Sequence, residues 1–416
     1  MATACGVDFG TSNSTVGWAR PGQLPLLALE QGKPTLPSVV FFNADDEQVS
    51  FGRAALEAYL AGYEGRLMRS LKSLLGTSLM DGQTEVAGRA LPFRMLLAHF
   101  IGELKHRAEG EAQRQFSAAV FGRPVFFIDD DARADRLAEE TLAGVARAVG
   151  FKDVAFQYEP IAAAFDYESQ IGGEELVLIA DIGGGTSDFS LVRLAPERAG
   201  RAERRDDILA TGGVHIGGTD FDKYLSLACV MPMLGYGSAL QNGTEIPSSY
   251  YFNLATWHTI NLAYTKKIWA QLADVCRDAR EPDKLARLQG LIEARAGHWL
   301  ALQVEQAKIT LSDAPRAQLA LERLAPPQEL TVAGADFELA IDHLVGSVEQ
   351  TVRKLLADAG VAAARVDTVF FTGGSSGVRV LRERIAAVVP QARQVEGDLF
   401  GSIGAGLALD AARKFG

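Results

Sequence analysis

The sequence has little cysteine, little histidine and no long apolar run. Its 416 residues include three cysteines and six histidines. Three distant cysteines form no disulfide framework, which favours a reducing cytoplasm, and the histidines show no zinc-ligand spacing. No apolar run is long enough to cross a bilayer, and the N-terminus lacks the basic and apolar regions of a signal peptide. We therefore expect a cytoplasmic protein with no membrane partner.

The chain has fewer basic than acidic residues. There are 41 Lys and Arg against 52 Asp and Glu, which gives a formal net charge of −11. An acidic chain matches the phosphate backbone of nucleic acids poorly, so no nucleic-acid partner is expected. The length allows two or more units with cores of their own. We expect the protein to be a monomer.

Two short segments place an aspartate, glycines and hydroxyl residues between apolar runs. "LIADIGGGTSDFSLV" (178–192) has Asp181 before three glycines, and "CGVDFGTSNSTVGWA" (5–19) has Asp8 before Gly10. A tight turn explains one or two glycines, and a plain hairpin is the alternative for either segment alone. A phosphate site explains the whole pattern: the backbone amides converge on the phosphate, the hydroxyls add donors, and the carboxylates hold the waters of Mg²⁺. The repetition suggests an internally duplicated phosphate site.

The rest of the chain predicts an α/β fold in two halves. Strand-like runs alternate with amphipathic helices, and a third glycine stretch, "VFFTGGSSGVRVL" (369–381), joins a strand to a helix-like segment. The loop "SQIGGEE", near residue 172, is the expected boundary between the halves, and a mere surface loop is the alternative. We expect one lobe at 1–172, a second at 173–396, and a C-terminal segment at 397–416 that packs back on the first lobe.

Two regions lack the hairpin chemistry and are interpreted as insertions, at about residues 40–112 and 225–312. In the second, apolar residues recur at helical spacing, which favours core packing over a partner-binding face. These residues are Trp257, Ile260, Tyr264, Ile268, Leu272 and Val275. "APERAGRAERRDD" (195–207) is interpreted as a solvated hairpin tip, with docking as the alternative.

Taken together, these motifs resemble the ATPase domain of the seventy-kilodalton heat-shock chaperones, in the actin-like superfamily. The resemblance covers most of the chain and includes both phosphate hairpins and the third glycine stretch. Further segments similar to the family are "RPVFFIDDDAR", "YEPIAAAF", "ILATGGVHIGGTDFDKYL" and "VEQAKITLSD". It implies a two-lobed, ribonuclease H-like fold, each lobe a mixed sheet flanked by helices with a smaller inserted subdomain. It also implies ATP or ADP and Mg²⁺ in the cleft between the lobes.

The resemblance assigns roles to individual residues. Lys72 matches the lysine that reaches the γ-phosphate, and Glu159 matches the carboxylate near the attacking water. Asp8 and Asp181 would hold Mg²⁺ through its waters, and Asp181 and Thr186 join the catalytic set. The residues implied to cradle the phosphates are Gly10, Thr11, Ser12, Asn13, Gly183, Gly184, Gly185, Thr186, Gly217 and Gly218. Those implied to hold ribose and adenine are Glu305, Lys308, Ser312, Gly373, Gly374 and Ser375, with Asp398 at the edge.

Two departures from the family pattern affect the expected function. Gly377 stands where many members carry an arginine that stacks on adenine, and Arg379 is the expected substitute. The chain ends at "ALDAARKFG", so we expect a stand-alone, slowly hydrolysing, chaperone-like ATPase without the peptide-binding domain. Protein clients would then act through a lobe surface, around the insertion from Trp257 to Val275. The alternatives are a small-molecule kinase or phosphatase, or a non-catalytic actin-like scaffold, on the same fold.

Overall fold

The computed structural model describes residues 3–45, 48–86, 89–128, 131–201, 203–398 and 401–416, with the backbone alone at residues 166 and 258. The strands of the first half are β1 (Ala4–Phe9), β2 (Asn13–Gly17), β3 (Thr35–Pro37), β4 (Val39–Asn43), β5 (Val49–Phe51), β6 (Gly65–Arg69), β7 (Gln83–Val86), β8 (Arg89–Pro92), β9 (Ala118–Arg123) and β10 (Asp153–Tyr158). Its helices are α1 (Gly52–Leu60), α2 (Phe93–Ala112), α3 (Ala132–Ala148) and α4 (Glu159–Glu168). A short 3-10 helix, Leu71–Leu74, follows β6.

The second half has fewer strands and more helices. Its strands are β11 (Glu175–Ile182), β12 (Ser187–Leu194), β13 (Ile208–Val214), β14 (Arg316–Leu321), β15 (Gln328–Ala333), β16 (Thr368–Thr372) and β17 (Arg393–Glu396). Its helices are α5 (Gly218–Leu225), α6 (Ser249–Ala255), α7 (Lys266–Asp278), α8 (Pro282–Glu293), α9 (Gly297–Asp313), α10 (Gly334–Asp358), α11 (Arg379–Val388) and α12 (Ser402–Phe415). A 3-10 helix, Trp257–Tyr264, precedes α7.

The two main sheets have the same topology. The first has the order β10-β9-β1-β2-β3 and the second the order β17-β16-β11-β12-β13. In each, an antiparallel hairpin (β1–β2 or β11–β12) pairs in parallel with a later strand (β9 or β16). The predicted α/β, two-lobed architecture with a mixed sheet in each lobe is confirmed, and the duplicated topology places both hairpin loops at equivalent sheet edges.

Helices α4 and α12 pack between the two sheets. An apolar cluster joins Ile161 and Phe165 of α4 to Leu407 of α12 and to strands of both sheets, such as Val120 and Val177. α4 begins at Glu159, with Pro160 in its first turn, where the missing N–H is not needed. The predicted lobe limits at 172 and 396 remain predictions.

The apolar stripe of the second insertion faces the core. Ile260 and Leu272 are fully buried, and Tyr264, Ile268 and Val275 pack against the same cluster. The stripe is not one helix, because the 3-10 helix ends at Tyr264 and Thr265 caps α7, its hydroxyl accepting a hydrogen bond from the backbone N–H of Ile268. The core-packing interpretation therefore describes Ile260 to Val275 of the stripe better than a partner-binding face, whereas Trp257 lies outside this cluster and contacts the Arg69 guanidinium.

The interpretation of segment 195–207 as a solvated tip is wrong for Arg204. Its side chain is fully buried, and the guanidinium donates to both carboxylate oxygens of Glu168 at 2.7 and 2.9 Å and to Asp207 at 2.5 Å. Asp207 also pairs with Arg198. The base of this hairpin is thus fixed to the end of α4 by a buried ion network.

Candidate functional site

The two glycine hairpins end in short loops whose conformations are fixed by hydrogen bonds. The loop between β1 and β2 is held by Ser38, which donates from Oγ to the Gly10 carbonyl at 2.7 Å and from its amide to the Ser12 carbonyl at 2.9 Å. The loop between β11 and β12 closes with a hydrogen bond from the Gly183 amide to the Thr186 carbonyl at 2.9 Å. Hydrogen bonds within and beside each loop therefore fix both turns.

These loops meet each other and the start of α5. A β-carbon on Gly184 would overlap Ser12 Oγ, and one on Gly217 would lie 2.6 Å from the Gly184 carbonyl carbon and the Gly185 nitrogen. The amides of Gly218 and Thr219 donate to the carbonyls of Gly183 and Gly184 at 3.0 and 2.7 Å. Predicted phosphate residues from three parts of the chain thus converge where only glycine backbone fits.

Lys72 and Glu159 form an ion pair beside these loops. Lys72 Nζ lies 2.6 Å from Glu159 Oε1, and both side chains are about nine-tenths buried. Burial alone would lower the pKa of Lys72, but the nearby carboxylates of Glu159, Asp8 and Asp181 outweigh it, so the pKa is raised. The lysine is therefore firmly charged. The structure brings together Lys72 and Glu159, two of the four residues that the resemblance implies are catalytic, from positions 87 residues apart.

Asp8 and Asp181 add to a carboxylate cluster at the same place. Burial, followed by the charge of Glu159, raises the pKa of Asp8 to about 7. Burial, followed by the charges of Asp188, Glu159 and Asp8, raises the pKa of Asp181 to about 8. Lys72 opposes both shifts. Three carboxylates (Glu159, Asp8 and Asp181) therefore act on the Lys72 ammonium, and Asp188 adds a fourth negative charge next to Asp181, which leaves this site short of positive charge.

This charge deficit fits a hydrated divalent cation. No group of three or more His, Cys, Asp or Glu side chains within the described ranges is arranged as direct metal ligands. Asp8 and Asp181 attract a cation but do not enclose it. This arrangement suits Mg²⁺, which keeps most of its water ligands when it binds to proteins. Thr186 Oγ1 donates to Asp188 Oδ2 at 2.8 Å, which holds that carboxylate at the edge of the cluster.

A second polar group lies between α5 and α9. Lys308 Nζ donates to Asp222 at 3.0 Å and to the Gly218 carbonyl at 3.3 Å. A β-carbon on Gly218 would overlap Ser375 Oγ and lie 3.1 Å from Lys308 Nζ. Burial, against the opposing charge of Lys308, raises the pKa of Asp222 to about 6. Sequence reasoning missed Asp222, although a lysine as buried as Lys308 requires a carboxylate partner.

The third glycine stretch lies directly against Asp181. Gly373 has a φ of +82°, and a β-carbon there would lie 2.5 Å from Asp181 Oδ1 and from the Ile182 carbonyl oxygen. Only glycine satisfies both the positive φ and this approach. Gly374 and Ser375 follow in a short 3-10 turn, so the stretch connects the carboxylate cluster to the Lys308 group.

A separate cavity of about 170 Å³ is lined by residues that follow Lys308 in α9 and Ser375 in the third glycine stretch. Its walls include Ser312, Phe337, Glu338, Val378 and Arg379. The guanidinium of Arg379 is paired with Glu338 and Glu383 at the rim. Asp398 lies between β17 and α12, where its backbone carbonyl accepts from Ser402 Oγ at 2.8 Å. Glu305 lies on α9, close enough to Asp222 to raise the pKa of that carboxyl.

Comparison with known proteins identifies the family. The model of the family described as "Hsp70 protein" matches residues 4–99, 83–231 and 281–412. A chaperone protein HscA homolog of Shewanella denitrificans is 29% identical over 402 residues, covering 92% of this chain and 54% of the relative. One of Pasteurella multocida is 26% identical over 429 residues, covering 98% of this chain and 57% of the relative.

The chain thus spans little more than half the length of the curated relatives it matches. In the part of the chain that the structure describes, no helix is both long and apolar enough to span a bilayer. The matched segments contain both glycine hairpins, Lys72, Glu159 and the third glycine stretch. The chain belongs to the Hsp70 family.

Proposed function

We propose that this chain binds ATP and ADP with Mg²⁺ in the cleft and hydrolyses ATP slowly, as the ATPase unit of a chaperone-like protein. The observation that carries the proposal is the meeting of Ser12 and Gly184 beside the Lys72–Glu159 pair. A cradle of backbone donors with one buried ammonium and one carboxylate supplies what phosphoryl transfer requires, namely positioning and neutralisation of charge.

Each part of the cradle has its own task. The amides of Gly184 and Gly185, with the hydroxyls of Thr11 and Ser12, would hold the β- and γ-phosphates, while the Gly183 amide, which donates to the Thr186 carbonyl, would keep the loop in shape. Lys72 would offset charge on the transferring group. Glu159 gives one oxygen to Lys72, and its other oxygen would orient the attacking water or take its proton.

The bound metal would neutralise phosphate charge. When bound, Mg²⁺ supplies a Lewis-acidic charge at the phosphate oxygens. Asp8 and Asp181 would hold it through water, since both lie in the cluster that is short of positive charge.

The nucleoside would lie along the polar group and cavity beyond the phosphates. Lys308 and Glu305 of α9 would face the ribose, and Gly373, Gly374 and Ser375 would form one wall. Ser312 lines the cavity at the base end, with Asp398 proposed at the edge of the pocket. Because Arg379 is already held by Glu338 and Glu383, we propose that it borders the base rather than replacing the missing stacking arginine.

A chaperone role is supported by the printed names of the relatives, which are chaperones. We propose that this chain likewise acts on protein clients through a lobe surface, as a monomer in the cytoplasm, where its three unpaired cysteines would stay reduced. Since the stripe packs inward from Ile260 to Val275, a client would use the exposed side chains of this insertion, such as Phe252 and Leu262.

The test is calorimetric titration of the purified chain with ATP and ADP, with and without Mg²⁺, followed by phosphate release under single turnover. We expect binding that Mg²⁺ strengthens and slow release of inorganic phosphate. A folded chain that binds neither nucleotide would overturn the proposal. Transfer of the phosphoryl group to an added sugar, instead of to water, would establish the kinase alternative. An unfolded model protein titrated against the ATP and ADP forms tests the client role, which requires different affinities for the two.

A further inference from the structure

The inserted regions of the two lobes touch across the cleft at two places. Tyr59 of α1 lies with its hydroxyl 3.0 Å from Asn261 Oδ1 and 3.1 Å from His298 Nδ1. Arg69, the last residue of β6, places its guanidinium 4.2 Å from the centre of the Trp257 ring. Tyr59 and Arg69 belong to the first half of the chain and their three partners to the second, so an opening of the cleft at this place would break these contacts.

Trp257 is fixed in place by its own lobe. The His298 ring lies edge-on to Trp257 with ring centres 4.7 Å apart, and edge-on to Tyr59 at 4.9 Å. His298 is buried at the start of α9, the helix that also carries Glu305 and Lys308. Trp257 therefore presents a rigid aromatic face to Arg69, which is the geometry that favours a cation–π contact.

Arg69 is closely linked to Lys72 by the backbone. Ser70 has a left-handed conformation (φ 57°, ψ 39°), and the 3-10 helix that contains Lys72 begins at the next residue. This turn lets Arg69 reach the second lobe while Lys72, three residues later, reaches Glu159. Leu71, between them, is fully buried. The segment is thus held by Arg69 at one end and by Leu71 in the core, and little freedom remains for the backbone of Lys72.

We propose that Arg69 and Trp257 are positioning residues for Lys72. When the second insertion closes over the cleft, Trp257 binds the Arg69 guanidinium, and the Arg69–Lys72 segment then holds the Lys72 ammonium against the transferring phosphate. When the cleft opens, Arg69 loses this contact and the backbone of Lys72 is no longer fixed. The inference rests on the role proposed above for Lys72.

Four variants test this coupling: Arg69→Met, Trp257→Ala, the conservative Trp257→Phe, and Arg323→Met. Arg323 stacks on Trp299 within the second half, at 5.5 Å, and serves as the matched control. A cation–π contact is worth about 0.5–2 kcal/mol, so Arg69→Met and Trp257→Ala should each slow single-turnover hydrolysis by about 2- to 30-fold. Trp257→Phe should restore most of the rate, and Arg323→Met should leave it unchanged.

The decisive measurement repeats Arg69→Met in the Lys72→Ala background. If Arg69 acts through Lys72, the second substitution costs no further rate there, and the Arg69→Met/Trp257→Ala double variant is no slower than either single variant. Full, additive losses in both experiments, or wild-type rates in Arg69→Met and Trp257→Ala, would overturn the proposal.

A readout without nucleotide separates this proposal from the proposed function. A double-mutant cycle on the thermal midpoint of the nucleotide-free chain should show coupling between Arg69 and Trp257. If the two residues are coupled in a chain that hydrolyses no ATP, the Arg69–Trp257 contact exists, but Lys72 neither catalyses hydrolysis nor is positioned for it. If the wild type hydrolyses ATP and the two residues are not coupled, only the positioning role of the Arg69–Trp257 contact is rejected.

Discussion

Ser12 in the loop of the first hairpin and Gly184 in the loop of the second lie in direct contact. A β-carbon on Gly184 would overlap Ser12 Oγ and lie 3.3 Å from Ser12 Cβ. Gly184 does not have a positive φ. Its lack of a side chain is therefore required by the approach of the two loops and not by the conformation of its own backbone.

This contact predicts different effects of alanine at the neighbouring Gly184 and Gly185. Gly184→Ala should force Ser12 or the loop to move, at a cost of about 1–3 kcal/mol for overpacking, and so lower both the thermal midpoint and the affinity for ATP. Gly185→Ala is the matched control for stability, because a β-carbon there meets nothing within 4 Å. Adding Ser12→Ala to Gly184→Ala removes the overlapping oxygen and should restore part of the stability. Equal midpoints for the two alanine variants in differential scanning fluorimetry would contradict the packing argument.

Lys72→Ala is expected to slow hydrolysis by roughly 10²-fold or more, because it removes a preorganised charge from the transferring group. Nucleotide binding should survive, since the proposed ribose and diphosphate contacts lie on other segments. Single-turnover hydrolysis measures the first effect and calorimetry the second. Unchanged hydrolysis in a variant that still binds ATP would show that Lys72 serves only to pair with Glu159.

The hairpins and the Lys72–Glu159 pair are accessible from sequence for different reasons. An aspartate, glycines and hydroxyls within a few residues are a local pattern, and its repetition is visible without a fold. Lys72 is found only through the family resemblance, because an isolated lysine in a helix-like segment has no local signature. Its 2.6 Å contact with Glu159 depends on the tertiary fold.

Other features could not be found this way. Asp222, Arg69 and His298 acquire their surroundings from elements that are distant in sequence, and nothing beside them in the chain predicts those partners. Arg204 illustrates the opposite error: a run of charged residues usually indicates solvent exposure, but here Glu168, at the end of α4, supplies a buried partner. Sequence patterns therefore predict the positions of the glycine turns well and the long-range charge pairing poorly, while the phosphate chemistry of the loops stays a prediction.

The raised pKa values of Asp8 and Asp181 predict how stability depends on pH. At pH values between the unfolded pKa near 4 and the folded values of about 7 and 8, the folded chain binds protons that the unfolded chain has released. The contribution of these two groups to the free energy of unfolding is thus fully present below pH 4 and is lost as pH rises through 7 to 8. In nucleotide-free protein, Asp181→Asn removes the cost of ionising one of these buried carboxyls at high pH.

We therefore expect the thermal midpoint of Asp181→Asn to exceed that of the wild type by about 2 °C or more at pH 8.5, and the difference to shrink toward pH 5. Comparing the two proteins at each pH removes the effect of all other titrating groups. ADP with Mg²⁺ should stabilise the wild type more than Asp181→Asn, because the added cation meets the charge deficit. A difference that is constant from pH 5 to 8.5 would mean that Asp181 does not titrate in this range.

The buried Arg204–Glu168 pair predicts a large stability effect far from the phosphate loops. Arg204→Met leaves Glu168 as a buried, uncompensated carboxylate, which typically costs about 3–5 kcal/mol. Arg277→Ala is the control, since its pair with Asp274 is exposed and such pairs contribute about 0–1 kcal/mol. Urea denaturation should therefore separate the two variants widely.

The second substitution Glu168→Gln gives the sharper test of this network. The introduced glutamine would carry no charge but keeps a carbonyl oxygen for the backbone N–H of Ala195, from which Glu168 accepts a hydrogen bond at 3.1 Å. Asp207 would keep its partner Arg198. The Arg204→Met/Glu168→Gln chain should therefore recover much of the stability lost in Arg204→Met alone. If the double variant is instead less stable than the single one, the loss in Arg204→Met comes from packing of the arginine side chain against its neighbours, such as Phe165, and not from the unpaired carboxylate.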